Sequence, residues 1–415
     1  MADNLLDKAS ILLTPTAYDN GSMLSVKPEN GDGDFTFSRN GAASRVNSSS
    51  NIVTEGTNLP RINYENGIGS WLLEQQSTNL VTYSEDFSQW NNTDITIGAN
   101  GTSPSGETNA NLIQTGSAGS DQVNETFAIS ATNTATYSVF IKRVSGAEWV
   151  DFLVVKSGFS NSLKVWFNIK DGLVGSYSEN GTTTFDNASV KDFGNGWYRL
   201  QVTTTDTTNN TAFNIRIRTA SADNTDTRFD NSSYYLWAAQ LENQPFATSY
   251  IPTDGAANTR IQDIASNSGN ASLINSTEGV LYAEIKANAI YNLQRWISLS
   301  DGSHNNAIKI GFLNSSTDLK IACEVRSGGV SQAFMVNNLG AVSLAYLKVA
   351  VKYKENDFAL WINGVEVDTD TSGSAPIGLN NLTFTRGDSG QPFFGKAKAL
   401  AVYKEALTDE QLTAL

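Results

Sequence analysis

Apolar and polar residues alternate with a period of two along most of this chain. The pattern recurs in "DFTFSR", "TYSVFIKRV", "LKVWFNI", "WYRLQVTTT", "FNIRIRTA", "VLYAEIKA", "IKIGFL", "LKVAVKYK" and "DFALWING". Such a run buries one face of a strand and wets the other. Turns rich in Gly, Asn and Asp ("KDG", "GNG", "ENG", "SDG", "SGG") bound the runs, and no helical period fills the gaps. The pattern predicts antiparallel β-sandwiches rather than a parallel βαβ sheet. The last residues, "EALTDEQLTAL", break it. Thr408 and Gln411 are spaced for a capping box and Leu407 and Leu412 for a hydrophobic staple. Asp409 and Glu410 sit where a helix dipole is positive, so a short terminal helix is predicted.

Three segments are expected: a turn-rich β stretch over 1–80, a sandwich over 81–265 and a second sandwich over 266–415. The polar run "IQDIASNSGNASLINS" is the linker candidate. The length of 415 residues agrees with two or three domains.

Charge narrows the function. A net charge of -14 repels phosphate backbones and anionic lipid, which argues against a nucleic-acid partner. The single cysteine, Cys323 in "LKIACEVR", reads as a small buried hydrophobe, and one cysteine forms no disulfide within the chain. The start, "MADNLLDKASILLTPTAY", lacks a basic n-region and a long apolar stretch, and no run approaches the roughly 18 apolar residues of a membrane span. A soluble product made in the cytoplasm without a signal peptide is expected.

The ending also carries a family signal. A strand "AKALAVYKEAL" running straight into "TDEQL", preceded by "VLYAEIKA" and the hairpin "LKVAVKYKENDFALWINGVEV" with its Asn363-Gly364 turn, resembles the concanavalin A-like, laminin-G-type jelly roll over about 275–415. The middle segment, with "NLVTYSEDFSQW", "TYSVFIK", "GNGWYRLQVT" and "YYLWAAQLE", resembles carbohydrate-binding-module jelly rolls. Together with "FTFSRNGAASRVN" and "FATSYIPTDGAANTR", residues 10–262 are similar to a pattern of bacteriophage tail, fibre and other virion proteins. That resemblance implies a virion surface protein made in the host cytoplasm, with 1–80 as its attachment segment. It further implies other virion proteins and host-surface polysaccharide as partners and a homo-oligomer, of which a trimer is one form, although no coiled-coil heptads enforce it.

Catalysis has few candidates. His304 is the one histidine, so neither a multi-histidine zinc site nor a triad using a second histidine can be built, and one cysteine excludes a thiolate zinc site. Glycosidases need only two carboxylates. "VLYAEIKA" offers Glu284 alone, between Tyr282 and Lys286 on its face, and no Gln-Ile-His type strand of the polysaccharide lyases is present. A non-enzyme is expected, with a polysaccharide-degrading tail enzyme or a purely architectural decoration subunit as the alternatives.

Sugars present an apolar C–H face and a polar rim, which aromatic rings and Asn, Asp or Arg side chains recognise. Among the eight tryptophans, Trp90 in "FSQWNNTD" and Trp149 in "SGAEWVDF" stand closest to loops, while Trp296 accompanies the His304-Asn305-Asn306 turn. These six residues are the ligand-binding candidates. The resemblance to carbohydrate-binding modules implies a structural calcium, for which the matching regions supply Glu85, Asp86, Asp230 and Glu242.

Overall fold

The computed structural model describes residues 5–19, 22–129, 134–156, 161–206, 212–291, 293–313, 317–340 and 344–415. The alternating runs are all strands, paired antiparallel in several sheets, and the terminal helix is present at Asp409–Ala414. Two compact units result. One comprises residues 1–42, 55–75 and 261–415, the other residues 43–54 and 76–260.

The stretch read as a separate segment, 1–80, is therefore divided between them. Its strands are too few and short to close a core alone, and each completes a larger one. Ala9–Asp19 and Ile68–Leu73 pair with Gly395–Tyr403 in the first unit. The hairpin Ala43–Val46 with Ile52–Glu55 instead brings Ile52 into an apolar cluster of the second unit.

The first unit is a sandwich. A nine-stranded sheet, in which Gly395–Tyr403, Glu278–Ala287, Leu347–Lys354 and Phe358–Ile362 follow one another, contributes Leu281, Ile285, Val349, Val351 and Leu360 to the core. A five-stranded sheet, ordered Val330–Asn338, Lys320–Ser327, Ala307–Phe312, Arg295–Ser300, Asn381–Thr383, supplies Cys323, Ile308, Ile310 and Ile297. Asn363 (φ 52°) and Gly364 (φ 76°) turn the hairpin between Phe358–Ile362 and Val365–Asp370, both left-handed as a two-residue type I′ turn requires. The capping box closes as its spacing predicts: Thr408 Oγ1 accepts from the Gln411 amide at 3.4 Å and Gln411 Oε1 from the Thr408 amide at 3.1 Å. The helix buries Leu407 and Leu412 with Tyr282, Ala350, Trp361 and Tyr403, which lie on the large sheet's outer face.

The second unit packs two six-stranded sheets face to face. Thr134–Ser145 and Trp197–Asp206 send Val139, Ile141, Leu200 and Val202 inward to meet Val150, Phe152, Val165, Ile215 and Ile217. The outer face of the first of these sheets is covered: Phe140, Trp197 and Trp237 pack there with Ile52 and Tyr250. The outer face of the other sheet is polar.

Among the described residues no helix is long and apolar enough to cross a membrane.

Candidate functional site

The polar face is dictated by strand alternation. In Ala212–Ala220, Phe213, Ile215 and Ile217 point into the core, so Asn214, Arg216 and Arg218 point out. The neighbouring strand Gln122–Ala128 sets Asn124 opposite Arg216 and Thr126 opposite Asn214. On the other side, Trp149–Val155 sets Leu153 opposite Arg216 and Asp151 opposite Arg218. Ser162–Asn168 then adds Lys164 beside Leu153 and Trp166 beside Asp151.

Hydrogen bonds order the row. Asn214 Nδ2 donates to Thr126 Oγ1 at 2.9 Å, and Arg216 donates to Asn214 Oδ1 at 2.6 Å through Nε and to Gln122 Oε1 at 3.4 Å through Nη1. Beside it, Arg218 Nε donates at 2.7 Å to the buried Asp151 carboxylate, which also accepts from Arg228 at 3.1 Å. Burial pushes the Asp151 carboxyl up, against the pull of the two guanidiniums. Burial, and then the Arg218 charge, lowers Arg216. At the margin, Lys164 pairs with Asp226 and lies 5.1 Å from the Trp166 ring, whose Nε1 donates to the Thr225 carbonyl at 2.9 Å.

The face thus alternates guanidinium and amide donors with amide acceptors, laid over the buried Leu153 side chain. Hydroxyl groups that both give and take hydrogen bonds suit such a row.

Of the expected ligand residues, only Trp149 falls here, half-buried on the same outward row as Asp151 and Leu153. Trp90 is a correction. The 3-10 turn Phe87–Gln89 folds it inward, where it packs 4.9 Å from Phe87 and 5.3 Å from Phe127 and donates to the Tyr83 carbonyl at 3.0 Å. Trp296 is also buried, its indole bonded to Gln391 at 3.1 Å and roofed by the Lys309 ammonium at 5.0 Å, so it offers no stacking face. His304, Asn305 and Asn306 do form one turn in the first unit. His304 Nδ1 lies 3.3 Å from Lys309 Nζ, Asn305 is exposed, and Asn306 bonds Asp301 and the Gly328 amide.

The four expected calcium ligands play separate parts. Glu85 accepts from Asn109 at 2.7 Å and Tyr250 at 2.8 Å, Asp86 caps the turn at Phe87–Gln89, and Asp230 is exposed. Glu242 is buried and takes five hydrogen bonds, from Ser77, Gln240, Gln244 and twice from Thr248. Among the described residues, no group of three or more His, Cys, Asp or Glu side chains is arranged to hold a metal ion.

Sequence reasoning passed over Gln122, Asn124, Asn214, Arg216 and Arg218. The signal was in "FNIRIRTA", where two arginines and an asparagine share one face of a strand whose other face is apolar.

Residues 263–413 match the family model of the concanavalin A-like lectin/glucanases superfamily. No curated protein matches the chain. Among solved structures, the Ruminococcus gnavus IT-sialidase CBM40 is 18% identical over 35% of this chain and 91% of its own, with a TM-score of 0.29. A leech intramolecular trans-sialidase complexed with 2,7-anhydro-Neu5Ac is 21% identical over 34% of this chain and 23% of its own, TM-score 0.28. Mouse laminin alpha1 domains LG4-5 are 10% identical over 69% of this chain and 90% of their own, TM-score 0.24. Likenesses this distant carry no weight for ligand or chemistry.

Proposed function

We propose that this protein is a non-enzymatic glycan-binding adhesion protein whose second unit engages sugar on the polar outer face built around the part-exposed Arg216. The observation that carries the reading is the hydrogen-bonded row Thr126, Asn214, Arg216, Gln122, held in one register across two adjacent strands. Preordered amides and guanidiniums lose little entropy on meeting hydroxyls, which favours binding. The superfamily match over 263–413 adds a second lectin-type sandwich in support. In this reading the protein is carried on a bacteriophage particle and meets host-surface polysaccharide, a setting supported by the sequence resemblance over 10–262. Several copies on one particle would raise weak single-site affinity into avidity.

The test is binding of the full chain to a glycan array and to host cells, with and without EDTA, while release of oligosaccharides is read in parallel. Saturable binding without release is expected, and loss on EDTA would add a calcium requirement. Released oligosaccharide would make the protein a depolymerase, and silence in both channels would make it an architectural subunit.

A further inference from the structure

The first unit holds a cavity of about 400 Å³ between residues 271–276, Gly378-Leu379 and Lys404. Two asparagines shape the first of these stretches. Asn270 Oδ1 accepts from the Ser272 amide at 2.9 Å and its hydroxyl at 2.6 Å, and Asn275 Oδ1 accepts from the Thr277 amide at 3.0 Å and its hydroxyl at 2.9 Å. Between them the chain drops Ile274 into the core, which Leu379 also joins. Ser276 Oγ accepts the Leu379 amide at 2.9 Å and so fixes one side of the cavity to the other.

The polar groups on the wall are unevenly spent. Asn275 Oδ1 and Ser276 Oγ already accept, the Ser272 hydroxyl gives its proton to Asn270, and the Asn275 amide donates to the Lys404 carbonyl at 2.9 Å. Lys404 differs. Its side chain is exposed, its ammonium donates once, at 3.3 Å to the Ser272 carbonyl, and it forms no ion pair among the described residues. The adjacent Glu405 is exposed and does not line the cavity. The Ser276 hydroxyl proton likewise meets no acceptor among the described residues. An ammonium has three donors and a hydroxyl one, so the cavity's unused capacity is to donate. An accessible cation without a carboxylate is best answered by an anionic acceptor. One ammonium balances a single negative charge, whereas phosphate would bring nearly two into a chain of net charge -14. The volume lies at the lower end of small-molecule sites and fits a compact ligand.

We propose that this cavity of the first unit binds a small monocarboxylate, a sugar acid or a hydroxy acid, whose carboxylate meets the Lys404 ammonium and the Ser276 hydroxyl. The proposal uses no residue of the Arg216 face, and its fate in the following test is independent of that reading.

Ile274 lines the cavity and its methyl groups report on this one location in the intact protein. The full chain, labelled at isoleucine methyls, is titrated with sodium glucuronate, sodium lactate, inorganic phosphate and glucose. The Ile274 signals are identified by their loss in Ile274→Val. At least one of the two carboxylates is expected to move them saturably, while phosphate and glucose do not. Glucuronate acting alone assigns the site to sugar acids, and lactate acting, with or without glucuronate, assigns it to the hydroxy-acid group. Lys404→Gln, checked for an unchanged fold by circular dichroism, is expected to bind the active acid about tenfold more weakly, and Lys404→Arg to keep most of the affinity. Ile274 signals indifferent to both carboxylates, or moved as much by phosphate or glucose, overturn the proposal, and that result needs only the unaltered chain. Equal binding by Lys404→Gln overturns it as well.

Discussion

Arg39 and Asp263 meet at 2.9 Å with both side chains wholly buried, although 224 residues separate them. Asp263 also pairs with Arg61, accepts the Glu74 amide at 2.8 Å, and so ties the "FTFSRN" and "PRINYE" stretches to the start of the strand Ile264–Ser266. Removing one partner of such a network strands buried charge. Asp263→Ala is expected to lower stability by about 3–5 kcal/mol, read as an earlier urea midpoint. An unchanged midpoint would mean the network contributes nothing.

Arg216 is the test of the polar face. Arg216→Ala removes donors to Asn214 and Gln122 while leaving the inward Ile215 and Ile217 in place. Glycan binding by the second unit is expected to fall about tenfold while the melting temperature moves little. Binding measured by isothermal calorimetry that matches the unaltered chain would place the sugar elsewhere.

The environment of His304 gives a pH prediction. Its folded-state value is lowered, by burial first and then by Lys309, Arg326 and Arg386. The unfolded chain therefore binds its proton more readily. The associated stability is complete above the ordinary histidine value of about 6.5 and is lost as pH falls toward the lowered folded value. His304→Gln should flatten that part of the profile, seen by comparing thermal midpoints across the weakly acidic range.

The terminal helix should matter more through packing than through its cap. Thr408→Ala removes a side-chain acceptor and is expected to cost about 1 kcal/mol. Leu412→Ala opens a cavity against Trp361 and Tyr282 and is expected to cost about 2–5 kcal/mol. Unfolding followed by tryptophan fluorescence distinguishes the two, and equal costs would contradict the packing account.

Strands and turns were legible because local rules decide them. Alternation located Ala212–Ala220 and Glu278–Ala287, Asn363-Gly364 announced its turn, and the Thr408 to Gln411 spacing announced the helix. The site was less legible because exposure is a tertiary property. Trp90 is near a loop in the chain, yet the turn at Phe87–Gln89 drops it onto Phe127. The outward arginines of "FNIRIRTA" could be seen, but not that the companion sheet's outer face would be covered by Ile52 and Tyr250, leaving theirs as the polar one. Nor does any local pattern reveal that the strand Ala9–Asp19 takes its partner from Gly395–Tyr403.

That pairing has a consequence for synthesis. A ribosome delivers Ala9–Asp19 long before Gly395–Tyr403, with every residue of the other unit emerging in between. Domains form as units, in the order in which their parts become available. The unit made of 43–54 and 76–260 can thus close while the chain is still growing, whereas Ala9–Asp19 pairs early with Ser22–Lys27 on one edge and waits for Gly395–Tyr403 on the other. The unit that holds both strands becomes whole only after the other can have closed, which leaves the second hydrogen-bonding edge of Ala9–Asp19 exposed in the interval.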